Sequence, residues 1–393
     1  MDATQRVRRA VETSDGTTRA ELAAELGLPL GTVTTAATAL LRSGVLAERP
    51  AAPAGTRSGR PAMLLVPAGP PRTVGAVVWA HGRLRAAIAT YGGTVLARDD
   101  LAVGTDGSGP EVLEPAWRFL GEAGQGPLDR VVLGVPAPFQ RGVGLPPGRL
   151  PVPGGEDASG RRPDFAPWLR PDPAAVLARR LGVPVVIEND ANLGALGEAQ
   201  AGAGRGYSCQ IFLKLGERSF GAGLLLDGTL YRGASGFAGE IAHIHADDDG
   251  PLCACGARGC LSARARRPLV ELMEEAYDRT LTFAEVLRLA DADEPAPARV
   301  LREVGRALGR PLADLCTFLN PELLIIDGAL GGAGRHVLGG VTEQIERWCA
   351  PAVAASLAVV PGALGADAEI VGAIRLARTE ARAEARTGTA GSG

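Results

Sequence analysis

The chain has 393 residues, 46% of them hydrophobic, enough to bury a large core and to form two or three domains. A formal net charge of −3 excludes a uniformly basic coat, and no run approaches the roughly 18 uncharged apolar residues that span a bilayer. The start, MDATQRVRRA, lacks an apolar stretch behind its arginines, so the expectation is a cytoplasmic protein with no signal peptide and no membrane partner.

Residues 1–70 carry eight arginines against six acids, while the remainder is negative, as expected of a nucleic-acid head on an acidic body. TQRVRRAVET reads as a short helix. TTRAELAAELGL follows, with Thr18 and Glu21 spaced as a capping box and Gly27 placed to end the helix. PLGTVTTAATALLRSG spaces Val33, Ala36, Ala37, Leu40 and Leu41 as a helix face and stops at Gly44. Two helices joined through a short Gly-containing turn match a helix-turn-helix, and the next segment reads as two strands around a Pro/Gly/Arg-rich tip, a wing. The third helix presents Thr32, Thr34, Thr35, Thr38 and Arg42 opposite its apolar face, groups suited to base edges and phosphates; Arg57 and Arg60 lie at the wing tip. The same pattern also fits a winged helix used for protein contacts.

Residues 72–100 alternate like paired strands turning at His81-Gly82 and Gly92-Gly93, and DRVVLGVPAP is a further strand. VPVVIENDANLGALGEAQA is a buried strand running into a helix, SFGAGLLLDGTLYRG a hairpin turning at Asp227-Gly228, and PELLIIDGALGGAG a strand, glycine turn and helix. Alternating β and α elements predict an α/β body with a mostly parallel sheet covered by helices. The tail 379–393, TEARAEARTGTAGSG, has no apolar periodicity and is expected to be disordered.

Three of the six cysteines crowd into PLCACGARGC: Cys253, Cys255 and Cys260, spaced C-x-C-x₄-C, with His243 ten residues upstream. Four N/S ligands suit tetrahedral zinc, and a full set leaves no open position for a reactive water, so a metal here would be structural. On spacing alone a cluster of reduced thiols is the other reading, and His245 rivals His243. Cys209, Cys316 and Cys349 sit in apolar contexts as core residues.

ENDANLGALGE at 188–198, GFAGEIAHI at 236–244 and CACGARGC at 253–260, behind a winged helix, together resemble the ROK family of repressors, open reading frames and sugar kinases. The resemblance runs from the winged helix to about residue 378. It implies a winged helix-turn-helix over 1–70 and a two-lobed, actin-like ATPase (ribonuclease H-like) body over 71–378, its lobes divided near residue 190. It implies zinc on His243, Cys253, Cys255 and Cys260. It also implies sugar contacts from Asn189, Asp190, Glu240 and His243, Asp190 matching the general base of the kinases. Members with a winged helix are similar to xylose- and N-acetylglucosamine-type sugar-responsive repressors.

Departures from the family pattern fall on the nucleotide side. The Asp-x-Gly-x-Thr hairpin is replaced by Val78, Ala80 and Gly82, leaving no carboxylate for magnesium and no hydroxyl for phosphate. The second phosphate loop reads GERSFGAG, with Glu217, Arg218, Ser219 and Phe220 where a glycine-rich cradle is expected; Asp327 and Ala329 depart from the turn near the adenosine. On the sugar side, the Glu of the family's GCLE is Ser262. The expectation is a homodimeric or homotetrameric DNA-binding regulator, a repressor of carbohydrate genes, with operator DNA and a small carbohydrate as partners, zinc as cofactor and Asp190 a vestigial base. The alternatives are an ATP-dependent sugar kinase and a regulator without a sugar ligand.

Overall fold

A computed structural model of the chain describes residues 2–51, 62–80, 83–102, 112–123, 126–137, 139, 172–216, 220–253, 255–264, 273–274, 276–328 and 330–387. The head begins with α1 (Ala3–Glu12), α2 (Arg19–Leu26) and α3 (Leu30–Arg42). Thr18 and Glu21 form the capping box of α2, and Gly27 ends that helix in the left-handed region at φ 61°. The chain turns by 119° between α2 and α3, at the upper end of the helix-turn-helix range. Val7, Val11, Leu22, Val33 and Ala37 fill the space between the three helices. Strands β1 (Leu46–Pro50) and β2 (Met63–Pro67) pair antiparallel beside them as the wing stem; its tip, with Arg57 and Arg60, lies outside the described residues.

The body repeats one sheet plan. β3 (Thr73–Ala80), β4 (Arg83–Thr90) and β5 (Val95–Ala102) form an antiparallel meander, and β6 (Leu128–Val135) and β7 (Val185–Asn189) extend it parallel to β3, giving the order β5-β4-β3-β6-β7. Helices α4 (Glu114–Glu122) and α5 (Pro173–Leu181) cover its outer face through Leu113, Ala116, Leu120 and Leu177. After α6 (Asp190–Ala201) the plan recurs: β8 (Gln210–Leu215), β9 (Phe220–Leu226) and β10 (Thr229–Tyr231), then, past α7 (Leu261–Arg264), α8 (Phe283–Asp291) and α9 (Pro295–Leu319), β11 (Leu323–Gly328). α10 (Gly334–Trp348) and α11 (Pro351–Ser356) precede β12 (Ala358–Pro361), and the order is β10-β9-β8-β11-β12. Helices α9 and α10 cover the outer face of this second sheet.

The last helix, α12 (Ala368–Thr387), and α6 lie between the two sheets, and one core joins Val74, Ala76 and Val132 of the first to Phe212, Leu225 and Ile325 of the second. Their crossing is a backbone contact. A Cβ on Gly197 would sit 1.9 Å from the Ala368 carbonyl oxygen, and one on Gly372 would sit 1.8 Å from that of Leu193. Ridges cannot interdigitate that closely unless both positions are glycine.

The expectation of a disordered tail from residue 379 is corrected over residues 379–387, where α12 continues to Thr387; residues 388–393 lie outside the described residues. Composition misled because this last part of the helix is held mainly by polar anchors. Arg382 donates to the carbonyls of Thr13 and Tyr91, Arg378 just before it donates to Tyr91, Arg130 pairs with Glu384, and Ala381 is buried among apolar neighbours. The Arg382–Thr13 contact also docks the head, together with the Asp15 carboxylate, which accepts from Thr90 at 2.7 Å.

Gly372→Ala is expected to lower the free energy of unfolding by about 1–3 kcal/mol through overpacking at the α6–α12 contact. Gly339→Ala is the control, since its Cβ would meet only the Arg302 guanidinium at 3.6 Å. Replacing that mid-helix glycine should raise stability by up to about 1 kcal/mol. Urea denaturation of the two variants checks the pair.

Candidate functional site

The cleft is built where β7 ends. Asn189, its last residue, caps α6: its Oδ1 accepts from the N–H groups of Ala191 (2.9 Å) and Asn192 (3.1 Å), and its Nδ2 donates to the Ala137 carbonyl at 3.2 Å. Asp190 opens α6 and is buried, with Oδ1 accepting from the Ala191 N–H at 2.8 Å. Beneath them the buried Glu188 accepts from Asn192 at 2.9 Å and pairs with Arg232 at 2.7 Å. Asn189 thus caps the helix and stands at the carboxyl edge of the sheet, where α/β proteins meet ligands.

Glu240 lies close enough to Asp190 and His243 for their charges to act on it. Burial raises its carboxyl above the ordinary range; His243 opposes the rise and Asp190 adds to it. A carboxyl, an amide and an imidazole on one wall can accept from and donate to adjacent hydroxyls. His243 ends a 3₁₀ turn, Ile241–His243, and His245 follows on exposed backbone that bridges to Cys260, so the two histidines do not share a strand face.

His243 also faces the thiols. One ligand atom from each of His243, Cys253, Cys255 and Cys260 falls within a cluster no wider than 4.8 Å. His243 Nδ1 is 3.7 Å from Cys253 Sγ, and Cys255 Sγ is 3.6 Å from Cys260 Sγ. Sulfurs bound at 2.3 Å to one tetrahedral zinc stand about 3.8 Å apart, so this set is compatible with zinc as it stands. Burial resists ionisation of Cys253, but hydrogen bonds from the Cys255 backbone, Ser262 and the neighbouring thiols override it and pull the thiol down to about 6. Cys260, buried beside the other thiols, is pushed up to about 12. Ser262 Oγ lies 3.6 Å from Cys253 Sγ, so the residue standing where the family has Glu is turned to the thiols. Of the other cysteines, Cys316 and Cys349 are buried, whereas Cys209 is only half-buried, its N–H donating to Glu322.

At the positions expected to face nucleotide, Val78 is wholly buried in β3, and Ala80 is the last residue of that strand. Gly82, Glu217, Arg218, Ser219 and Ala329 lie outside the described residues. Asp327, the penultimate residue of β11, is buried, with Oδ1 accepting from the Gly328 N–H at 2.7 Å and Oδ2 without a hydrogen-bond partner among the described residues. Burial pushes its carboxyl up to about 6; the Gly328 N–H opposes this, and nearby Glu198 and Glu369 add to it.

Two groups of the site escaped sequence reasoning. Lys214 Nζ reaches Asp190 Oδ2 at 2.6 Å and Glu369 Oε1 at 2.5 Å, and Arg85 of β4 approaches Glu369 at 3.8 Å. A lone lysine in the apolar strand QIFLKL was the available signal. Glu369, in the first turn of α12, had none in its local sequence.

With this geometry in view, the ROK family model matches residues 166–380, more than half of the chain. The chain belongs to the ROK family. It is similar to the glucokinase of Thermotoga maritima, 34% identical over 227 residues that cover 54% of this chain and 71% of that one. It is also similar to the xylose repressor of Bacillus spizizenii, 28% identical over 205 residues, which are 52% of this chain and 53% of the repressor. A solved ROK family transcriptional regulator, described as a homolog of the E. coli MLC protein, superposes with a TM-score of 0.72 over 98% of each chain at 21% identity, establishing the shared fold from head to body. No single helix among the described residues is long and apolar enough to cross a membrane.

Two outcomes are expected of this ROK protein. As purified it should carry about one equivalent of zinc by elemental analysis, and Cys260→Ser should lose most of it together with melting temperature, because a structural site needs its full tetrahedral set. Asp327→Asn, which keeps an acceptor for Gly328, should stabilise by about 1–2 kcal/mol at pH 8. The sign follows from a folded pKa above the unfolded one: the native state binds more protons between about 4 and 6, so native Asp327 loses stability as pH rises through that window. The gain should therefore vanish near pH 3.5 in urea denaturation.

Proposed function

We propose that this ROK protein is a DNA-binding transcriptional regulator, a repressor of carbohydrate genes, whose kinase-like body has no phosphoryl-transfer activity and binds a sugar effector. The observation that carries this reading is the head. Its helix-turn-helix leaves Thr32, Thr34, Thr35 and Arg42 exposed on α3 and Thr38 half-exposed, beside a two-stranded wing. Thr35 and Thr38 rest their hydroxyls on the carbonyls of Gly31 (2.9 Å) and Thr34 (2.8 Å), and each keeps acceptor capacity for a partner. Arg57 and Arg60 of the wing tip complete the proposed DNA surface. The name of the xylose repressor relative points the same way.

Asn189, Asp190, Glu240 and His243 form the proposed sugar wall, with zinc on His243, Cys253, Cys255 and Cys260 fixing the loop beside it. With Nδ1 toward the metal, the other nitrogen of His243 is left to donate to a hydroxyl. A dimer would set two α3 helices about one DNA turn apart. A sugar that binds one lobe arrangement better than another then changes DNA affinity by that difference.

The glucokinase relatives favour a second reading, a sugar kinase with Asp190 as base. Phosphoryl transfer rests on positioning and neutralising phosphates, and a buried Val78 offers them nothing. The Asp190 carboxylate is also engaged by the Lys214 ammonium at 2.6 Å.

Fluorescence anisotropy should detect sequence-dependent binding to DNA upstream of the protein's own or adjacent genes. Arg42→Ala should weaken all sequences alike and reduce the salt slope by about one. Uniformly weak, sequence-independent binding would reject the regulator reading. A coupled ADP-release assay across common sugars should give no turnover, and a robust rate would restore the kinase.

A further inference from the structure

Strand β8 alternates. Ile211, Leu213 and Leu215 face the α9–α10 core, whereas Phe212 packs into the interlobe layer. Lys214 follows the Phe212 side to the carboxyl end of the strand, its side chain 15% exposed. There its ammonium lies between Asp190, at the start of α6, and Glu369, at the start of α12. Glu369 is shared with Arg85, which also donates to the Ala366 carbonyl and approaches Asp100 at 3.5 Å; Arg98 holds Asp367 at 2.6 Å. A continuous run of charge, Asp100–Arg85–Glu369–Lys214–Asp190, thus crosses the floor of the cleft from the first sheet to the second.

Burying an ammonium is costly unless it is paired, and removing it would leave two carboxylates facing each other. Replacing Lys214 and both carboxylates together by apolar residues would cost the fold little, so the buried charge at 214 asks for a role beyond stability. Asp190 supplies it. Among the described residues each of its oxygens has one partner, the Ala191 N–H or Lys214, and each keeps a lone pair for a second donor.

We propose that Lys214 is a positioning residue of the carbohydrate pocket: its ammonium pins the Asp190 carboxylate to the α12 N-terminus, so that Asp190 meets a ligand hydroxyl as a fixed, charged acceptor. This rests on the sugar-binding reading above. Lys214 touches no ligand itself; it acts through Asp190, and through Glu369 it ties ligand contact to α12.

The chain holds one lysine, so its only amines are Lys214 and the N-terminus, and trace acetylation read by mass spectrometry reports this site against an internal reference. The full-length protein is first titrated calorimetrically with a panel of pentoses, hexoses and amino sugars that includes D-xylose, D-glucose and N-acetyl-D-glucosamine. Heat from none of them overturns both the sugar reading and this one. With a sugar that binds, Lys214→Met is expected to weaken binding at least about tenfold, the scale of one charge-assisted contact, and Lys214→Arg to restore part of it. The bound sugar should also slow acetylation of Lys214 relative to the N-terminal amine in the wild type. Unchanged affinity in a folded Lys214→Met variant overturns the Lys214 role while leaving sugar binding intact. If that variant does not fold, wild-type acetylation decides: protection by sugar supports the role, and an unchanged rate overturns it.

Discussion

Two helices cross between two sheets with glycine at the point of closest approach, and the rest of the body is arranged around that contact. Gly197 against Ala368 and Gly372 against Leu193 bring the backbones together, so α6 and α12 move as one piece. Each covers a different sheet, and the two lobes therefore share a core instead of meeting across a wet interface. Close packing makes such a joint resist gradual deformation and favours discrete arrangements. The helix pair also fixes the cleft, because Asp190 and Glu369 are first-turn residues of α6 and α12.

The far end of α12 belongs to the head. The helix spans 20 residues, about 30 Å at 1.5 Å per residue, and about 20 Å of it separates Glu369 in the cleft from Arg382 on the Thr13 carbonyl. A rigid element with one end at the proposed sugar site and the other at the winged-helix head would be a physical route for coupling. Arg382 and Arg378 also grip the Tyr91 carbonyl, and Asp15 of the head bonds Thr90, so the first lobe serves as the shared platform. A shift of α12 relative to that platform would reach the α1–α2 turn directly.

How much of this was legible in the sequence depended on where the controlling contacts lie. The α2 capping box and the α3 apolar face are local patterns that the structure reproduces, and the four side chains of the Cys/His pattern come together in it. The end of α12 was not. Its sequence looks solvated because arginines and glutamates make its contacts, with Thr13, Tyr91 and Arg130, partners more than 250 residues away. Lys214 was legible as an oddity and illegible as a function, since both of its carboxylate partners come from other elements. The placement of His243 in a 3₁₀ turn follows from the Gly239 bend, where φ is +89° and a Cβ would strike the Ala222 carbonyl. No strand periodicity could reveal it.

The two halves of the cleft have diverged for a common physical reason. A kinase needs mobile, hydrated charge on the phosphate side, so that nucleotide and magnesium can enter and leave. In this chain Val78 is buried, and Arg85, Lys214 and Glu369 neutralise one another beside Asp190. The proposed sugar wall is stiffened from the opposite direction, since His243 belongs at once to that wall and to the thiol cluster, and Ser262 leans on Cys253. In the regulator reading proposed above, such a pocket offers a sugar a rigid set of donors and acceptors, and its occupancy would be felt by the helix that leads to the head.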